Sequence, residues 1–330
     1  MTRQAGETPL TRSLQEEILT SGPISFRRFM EVALYDPSYG YYCQARDPFG
    51  TAGDFYTAEQ IQPVFGILIA AQVRTLAEQL GQPPDFRVVE LGAGRQEMRP
   101  FFSDFDYVPV DVGTGELPKQ FCGVIFANEF FDALPVHSVV WRDGAARERL
   151  VGVDRGRFVW QEGQQAPAEV DDYLREHFPN REEGSVFEVN LEALRWIERI
   201  SSSLTSGFVL TIDYGYISEE AARFPSGSLM SYHRHIAQED VLLRPGEQDI
   251  TAHVCFTALE RHANRNALVT ERFERLSSAL VTIGEADQFA AALAASTVQE
   301  ELRRRMQLKT LLFGMGDSFR VLLQRKVDTK

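Results

Sequence analysis

Cysteine is scarce in this chain. Cys43, Cys122 and Cys255 are the three present, odd in number, in apolar or strand-like contexts and without a Cys-x-x-Cys pair. A disulfide framework and a zinc finger are thereby excluded, and a reducing cytoplasm is the expected setting. Histidine is also sparse, six in all. His233 and His235 followed by Asp249, Thr251 and His253 are a weak metal pattern, such histidines more often making loop hydrogen bonds, and no metal is assigned. Positive charge is in deficit: 34 Lys and Arg stand against 47 Asp and Glu, a net charge of -13. Binding to a phosphate backbone draws its energy from clustered cations that release counterions, so nucleic acid is excluded as a partner. Arg303-Arg304-Arg305 does not alter this, because Glu300 and Glu301 lie one turn earlier on the same expected helix and make a solvated, salt-bridged face. No long hydrophobic run exists either. The longest, at 64–73, is too short to cross a bilayer, and residues 1–9 lack an apolar h-region, so the expectation is a cytoplasmic protein without a membrane span.

What is present is an ordinary globular composition, 44% apolar and 25% charged over 330 residues, enough for one large domain with insertions or for two. No repeat or low-complexity tract interrupts it. Apolar spacing predicts two short helices within 10–35, broken at Ser21-Gly22-Pro23, and a longer helix over 61–80 stopped by Gly81 and Pro83-Pro84. Between them, 36–57 is glycine- and aromatic-rich without a period, an ordered and hence functional loop. Strands are expected at 86–91, 107–112, 124–128 and 207–213, in an alternation that implies a parallel sheet. A meander at 138–141, 149–153 and 157–160 reads as an inserted subdomain, followed by a polar, surface-exposed stretch at 161–183 and a helix over 190–204. A helix at 255–263, a strand at 267–273, helices within 286–312 and a last strand at 319–324 complete the reading. The domain expectation is therefore 1–60 for helices and a covering loop and 61–330 for the core, with an insertion at 138–185.

Two motifs carry chemistry. Glu90-Leu91-Gly92-Ala93-Gly94 ends a β-branched run in an acid and a Gly-x-Gly turn, where a ligand can touch backbone. Two glycines alone also make a purely structural turn, but Asp111 stands about twenty residues on, where an acid accepts both hydrogen bonds of a ribose diol. Gln96 occupies the place of a third glycine, which a pyrophosphate ligand would favour; an acid before the turn fits S-adenosylmethionine better than NAD. The second motif, Asn128-Glu129-Phe130-Phe131-Asp132, follows the apolar run 123–127. Asn128, Glu129 and Asp132 are either the cap and acidic first turn of a helix or the reacting groups at a strand's carboxyl end, and the nearby glycine turn tips the balance to the latter. Asp213-Tyr214-Gly215 ends a further run and reads as a simple turn.

An ordered set of motifs resembles the MidA family of S-adenosylmethionine-dependent methyltransferases. It comprises Gly22-Pro23-Ile24-Ser25-Phe26, Tyr35-Asp36-Pro37, Gly40-Tyr41-Tyr42, Gly53-Asp54-Phe55-Tyr56-Thr57, Phe65-Gly66, the 89–95 turn, the 127–136 segment, Ile212-Asp213-Tyr214-Gly215 and the run from Pro245 to Val254. The chain departs from the family at Gln96, at Cys255, where Asp is usual, and in a shortened 95–123 segment. The resemblance implies an α/β, Rossmann-type class I methyltransferase sheet with added N-terminal helices and an inserted β/α subdomain. It implies S-adenosyl-L-methionine as cofactor, held by Glu90, Gly92, Gly94, Asp111 and Asn128 and covered by a loop with Gly53, Asp54 and Thr57. Mitochondrial members methylate an arginine of a respiratory complex I subunit during assembly, so a protein arginine is the expected acceptor, with Glu129, Asp132 and Asn128 as catalytic residues. Facing carboxylates suit a guanidinium, which stays protonated and is held by paired hydrogen bonds. Rival readings are a small-molecule O- or N-methyltransferase and a cofactor-binding assembly factor without turnover; a homodimer is left open.

Overall fold

The computed structural model describes residues 8–44, 62–233 and 236–327. Its strands are β1 Ile24–Ser25, β2 Arg87–Leu91, β3 Asp106–Val110, β4 Phe121–Asn128, β5 His137–Arg142, β6 Ala145–Asp154, β7 Arg157–Gln165 and β8 Val186–Val189. They continue with β9 Leu204–Tyr216, β10 Met230–His233, β11 Ile236–Gln238, β12 Asp249–Thr251, β13 Val254–Cys255, β14 Leu268–Arg275 and β15 Phe319–Lys326. The chain divides into two compact units, one of Met1–Phe55, Asp132–Ala193 and Tyr216–Thr257, the other of Tyr56–Phe131, Leu194–Gly215 and Ala258–Lys330.

In the second unit the strands run in the order β14-β15-β9-β4-β2-β3. Pairings β2–β3, β2–β4 and β4–β9 are parallel, while β15 joins antiparallel to β9 and β14 to β15. This is the α/β methyltransferase sheet the sequence predicts. Alternation sends Phe208, Leu210 and Ile212 of β9 to one face, where they pack with Val124, Phe126 and Val321 against Phe65, Leu68 and Val73 of the helix Val64–Gln79. The crossover from β2 to β3 contains turns and no helix. Parallel strands need a long connection, usually helical; here Met98 and Phe102 are buried in its place, and Phe101 lies so close to Gly66 that a Cβ there would meet its ring. Phe65-Gly66 is thus a packing motif that admits an aromatic where a helix is missing.

Three strands meet at glycine. Gly123 of β4 is in register with Arg87 and Gly207, and a Cβ on Gly207 would fall 1.9 Å from the Gly123 carbonyl oxygen.

The first unit holds the sheet β1-β6-β5-β8, with β7 on β6, and the three-stranded β11-β10-β12. Its N-terminal helix Pro9–Ser21 starts on Thr8, whose hydroxyl accepts the Thr11 N–H, and stops at Gly22 (φ +88°). Ser25 caps Phe26–Tyr35 in the same way. Leu10, Leu14, Ile18, Phe26, Phe29 and Met30 form a core with Val136, Val151 and Ile250. The expected meander appears as β5, β6 and β7. The exposed stretch expected at 161–183 does not: β7 runs to Gln165, and Ala168–His177 is an amphipathic helix burying Val170, Tyr173 and Leu174, an i, i+3, i+4 spacing diluted by its acidic neighbours. Among the described residues no helix is long and apolar enough to cross a membrane.

Two stability outcomes follow. Gly207→Ala should destabilise the protein by about 3 kcal/mol or more, the upper end of overpacking costs, read as a lower urea midpoint. Burial holds Tyr42, Tyr173 and Tyr216 well above the ordinary 10.0, and Asp249 adds to the effect at Tyr42. Above pH 10 the unfolded chain therefore binds fewer protons than the folded one, so stability is full below that pH and falls as pH rises through it. A phenolate absorbance titration should show these tyrosines ionising only as the protein unfolds.

Candidate active site

β2 ends in Glu90, 2% exposed, and Leu91. Gly92 and Gly94 then turn with φ of +69° and +46° and are exposed. The N–H groups of Gly92 and Ala93 donate to the Val110 carbonyl at the end of β3, at 2.9 and 3.3 Å. The Asp111 carboxylate accepts from Gly94 N–H at 2.5 Å and Val112 N–H at 2.6 Å, while Asp111 and Thr114 exchange backbone bonds. Asp111 thus braces the turn from the next strand's end, as well as being partly exposed beside it.

Gln96 adopts the left-handed conformation (φ +58°) that its missing glycine would favour, at a cost of about 1–2 kcal/mol. Its side-chain oxygen accepts two bonds from Arg99, whose guanidinium lies 5.1 Å from the centre of the Tyr107 ring. Tyr107 in turn donates its hydroxyl proton to the buried Glu90 carboxylate. The departure at Gln96 is tied by side chains to the acid of the glycine turn, a relation no spacing rule reveals.

At the end of β4, Asn128 is 4% exposed. Its Nδ2 donates to Glu129 at 3.3 Å, and its Oδ1 is buried without a hydrogen-bond partner among the described residues. No helix starts here, so the picture of Glu129 and Asp132 side by side on a first helical turn is corrected. Glu129 instead takes a left-handed φ of +49°, donates its N–H to Ile212 at 2.9 Å and keeps its side chain partly exposed. Phe130 lies over the glycine turn, its Cδ2 3.2 Å from where a Gly92 Cβ would stand, and meets Trp196 edge-on at 5.0 Å. The expected turn at Asp213-Tyr214-Gly215 is likewise corrected, since β9 runs through to Tyr216.

In the other unit Asp132 is 3% exposed and its carbonyl accepts the Ala252 N–H at 2.9 Å. Tyr42 donates to the buried Asp249 at 2.7 Å, and Tyr35 donates to the Ala133 carbonyl at 2.9 Å. Burial, more than the nearby Arg223, lowers the His253 pKa and favours its neutral form. Gly53, Asp54, Thr57 and His235 lie outside the described residues. Among the described residues no three His, Cys, Asp or Glu gather as metal ligands.

An open glycine turn, an acid at the end of β3 and an amide oxygen at the end of β4 with an unmet hydrogen-bonding capacity together fit S-adenosylmethionine. The fold and the site define an S-adenosylmethionine-dependent methyltransferase. A family model described as "Putative S-adenosyl-L-methionine-dependent methyltransferase" matches residues 106–273, half of the chain, and the protein belongs to that family. The crystal structure of a Burkholderia thailandensis protein bound to S-adenosyl-homocysteine is similar, with a TM-score of 0.87, 29% identity and coverage of 97% of this chain and 92% of that one. The mitochondrial protein arginine methyltransferase NDUFAF7 homolog of Drosophila melanogaster is 29% identical, over 78% of this chain and 70% of that protein. Its Homo sapiens counterpart is 28% identical, over 78% and 69%. The relatives are named as mitochondrial, which overturns the expectation of a cytoplasmic protein; few cysteines and no Cys-x-x-Cys pair suggest a reducing environment and not one compartment.

S-adenosylhomocysteine should bind and raise the melting temperature, as any ligand specific for the native state does. Asp111→Ala removes the brace on Gly94, and if Asp111 also holds the ligand it should weaken binding by about 1.5–3 kcal/mol. Isothermal calorimetry checks both; an unchanged dissociation constant would remove Asp111 from the cofactor site.

Proposed function

We propose that this methyltransferase acts on a guanidinium nitrogen of an arginine in a protein. The observation that carries the reading is that its curated relatives over most of the chain are named protein arginine methyltransferases. The chemistry of the strand end agrees with it, and an assembly role for a respiratory complex, as the family resemblance implies, belongs to the same proposal.

S-adenosylmethionine, when bound, supplies a methyl group already activated by the sulfonium. The protein's task is then to orient the acceptor, keep water out and take up one proton from the guanidinium as the nitrogen–carbon bond forms and the carbon–sulfur bond breaks. Gly92 and Gly94 would leave backbone open to the cofactor, Asp111 would accept from its ribose hydroxyls, and Asn128 Oδ1 would take a donor from it. Glu90 stays buried beneath Tyr107 and gives the turn a fixed acidic base.

Glu129 is the first choice for holding the guanidinium, because its carboxylate is partly exposed while Asp132 is almost wholly buried. A carboxylate accepts two parallel N–H bonds from a guanidinium and localises its charge away from the reacting nitrogen. Asp132 is the second candidate, and Gly53, Asp54 and Thr57 remain proposed as the covering loop.

The test incubates the purified protein with methyl-labelled S-adenosylmethionine and a lysate of its own source, then hydrolyses the labelled product. Methylated arginine is expected. Glu129→Gln should lower transfer by about 10- to 100-fold, matching the loss of charged hydrogen bonds, with cofactor affinity and folding retained; Asp132→Asn is run beside it. Label on a metabolite hydroxyl would sink the arginine reading, and equal labelling by wild type and both variants would remove the carboxylates from the mechanism.

A further inference from the structure

We infer that Asp213 is a positioning residue for methyl transfer: its buried carboxylate holds the bend after β4 in the backbone shape that presents Glu129 and seats Phe130 on the glycine turn. The inference rests on the role given to Glu129 above, and its geometry lies within one unit of the fold.

The parallel ladder between β4 and β9 ends at Asn128, in register with Ile212. One further backbone bond follows, from Glu129 N–H to the Ile212 carbonyl at 2.9 Å. Beyond it the Phe131 N–H is taken by the Asp213 Oδ2 at 2.9 Å, in a contact buried from water. The other carboxylate oxygen accepts the N–H of Tyr214, also at 2.9 Å, and Asp213 itself is 0% exposed. A side chain therefore continues what the backbone ladder stops doing.

The carboxylate is specific to this task. It offers two oxygens that only accept, one for each N–H, whereas asparagine offers one acceptor and turns an NH₂ group toward the other N–H. Between the Glu129 N–H on Ile212 and the Phe131 N–H on Asp213 the chain passes through Glu129 with φ of +49°, a conformation that a non-glycine residue keeps only when its surroundings over-determine it. Phe130 lies between the same anchors, and its ring contacts both Gly92 and Trp196. Released from Asp213, Glu129 would relax to an ordinary conformation and carry Phe130 off the turn. The direction of a catalytic carboxylate and the packing on the cofactor turn thus depend on one buried acid.

The experiment compares wild type with Asp213→Asn by residue-resolved amide exchange, by Trp196 fluorescence in a Trp141→Phe, Trp160→Phe background, by S-adenosylhomocysteine calorimetry and by labelled transfer. In the variant the Phe131 amide should exchange about 100-fold faster while amides of Val124, Ile125, Val209 and Leu210 keep their protection, a local opening and not a global one. Trp196 emission should shift, affinity for S-adenosylhomocysteine should stay within about threefold, and kcat should fall by at least about tenfold. Asp213→Glu, which keeps both acceptor oxygens, should recover part of the protection and part of kcat.

Unchanged exchange at Phe131 would overturn the inference, as would an equal loss of protection along β4 and β9, which marks a merely structural residue. Full transfer despite the opened bend would overturn it too. If neither variant folds, the carboxylate is a condition of folding and the inference fails. Absence of label transfer by the wild type would defeat the arginine reading instead, leaving exchange and fluorescence to decide whether Asp213 holds the bend.

Discussion

Strands that end together at one edge of a parallel sheet leave backbone N–H groups beyond the last ladder bond, and buried donors of this kind must find acceptors. This chain meets the demand with carboxylates. Asp213 receives the buried Phe131 N–H after β4, and Asp111 receives the exposed Gly94 N–H after β2. In each case the acid belongs to the neighbouring strand, Asp111 just past the end of β3 and Asp213 within β9, so the loops that form the site are fastened sideways to the sheet and not merely by their own turns. The arrangement explains why the polar groups of the sequence gather at strand ends: they are acceptors for chain that has left the ladder, and the chemistry uses the loops so fixed.

The shortened connection between β2 and β3 shows a second way of filling space. A helix would cover the sheet face with an aliphatic stripe; here turns bring Met98 and Phe102 into the core, while Phe101 presses on Gly66. The connection leaves from the glycine turn, and Arg99 within it together with Tyr107 of β3 links Gln96 to Glu90. What looks in the sequence like loss of a glycine and of a helix is replaced by packing and by a polar chain, and the cofactor turn keeps its shape.

Much of this was legible in the sequence because the strands obey simple alternation. The expected 86–91, 124–128 and 207–213 correspond to β2, β4 and β9, and the last strand and most helices also appear where spacing places them. The helix-cap alternative at Asn128 fails for a physical reason: Asn, Glu and Asp in that order have the chemistry of a cap, but here the tertiary bonds to Ile212 and Asp213 outweigh it. The amphipathic helix Ala168–His177 was hidden by acidic residues that flank a narrow apolar stripe. Asp213 was read as a turn because its neighbour Gly215 suggests one, whereas pairing along β15 keeps the strand extended through Tyr214. Long-range acceptors for single N–H groups leave no periodic trace.

The backbone at Glu129 has a consequence for the evolution of the fold. A left-handed conformation costs a carboxylate residue about 1–2 kcal/mol that glycine would not incur, so the residue best suited to the backbone there is one with no side chain at all. Under selection for stability alone, this position would drift toward glycine, and on the role proposed for Glu129 the product would be a firmer scaffold that no longer turns over. A glutamate in this backbone conformation is unfavourable for stability alone, and the guanidinium-holding role proposed for it would offset that cost.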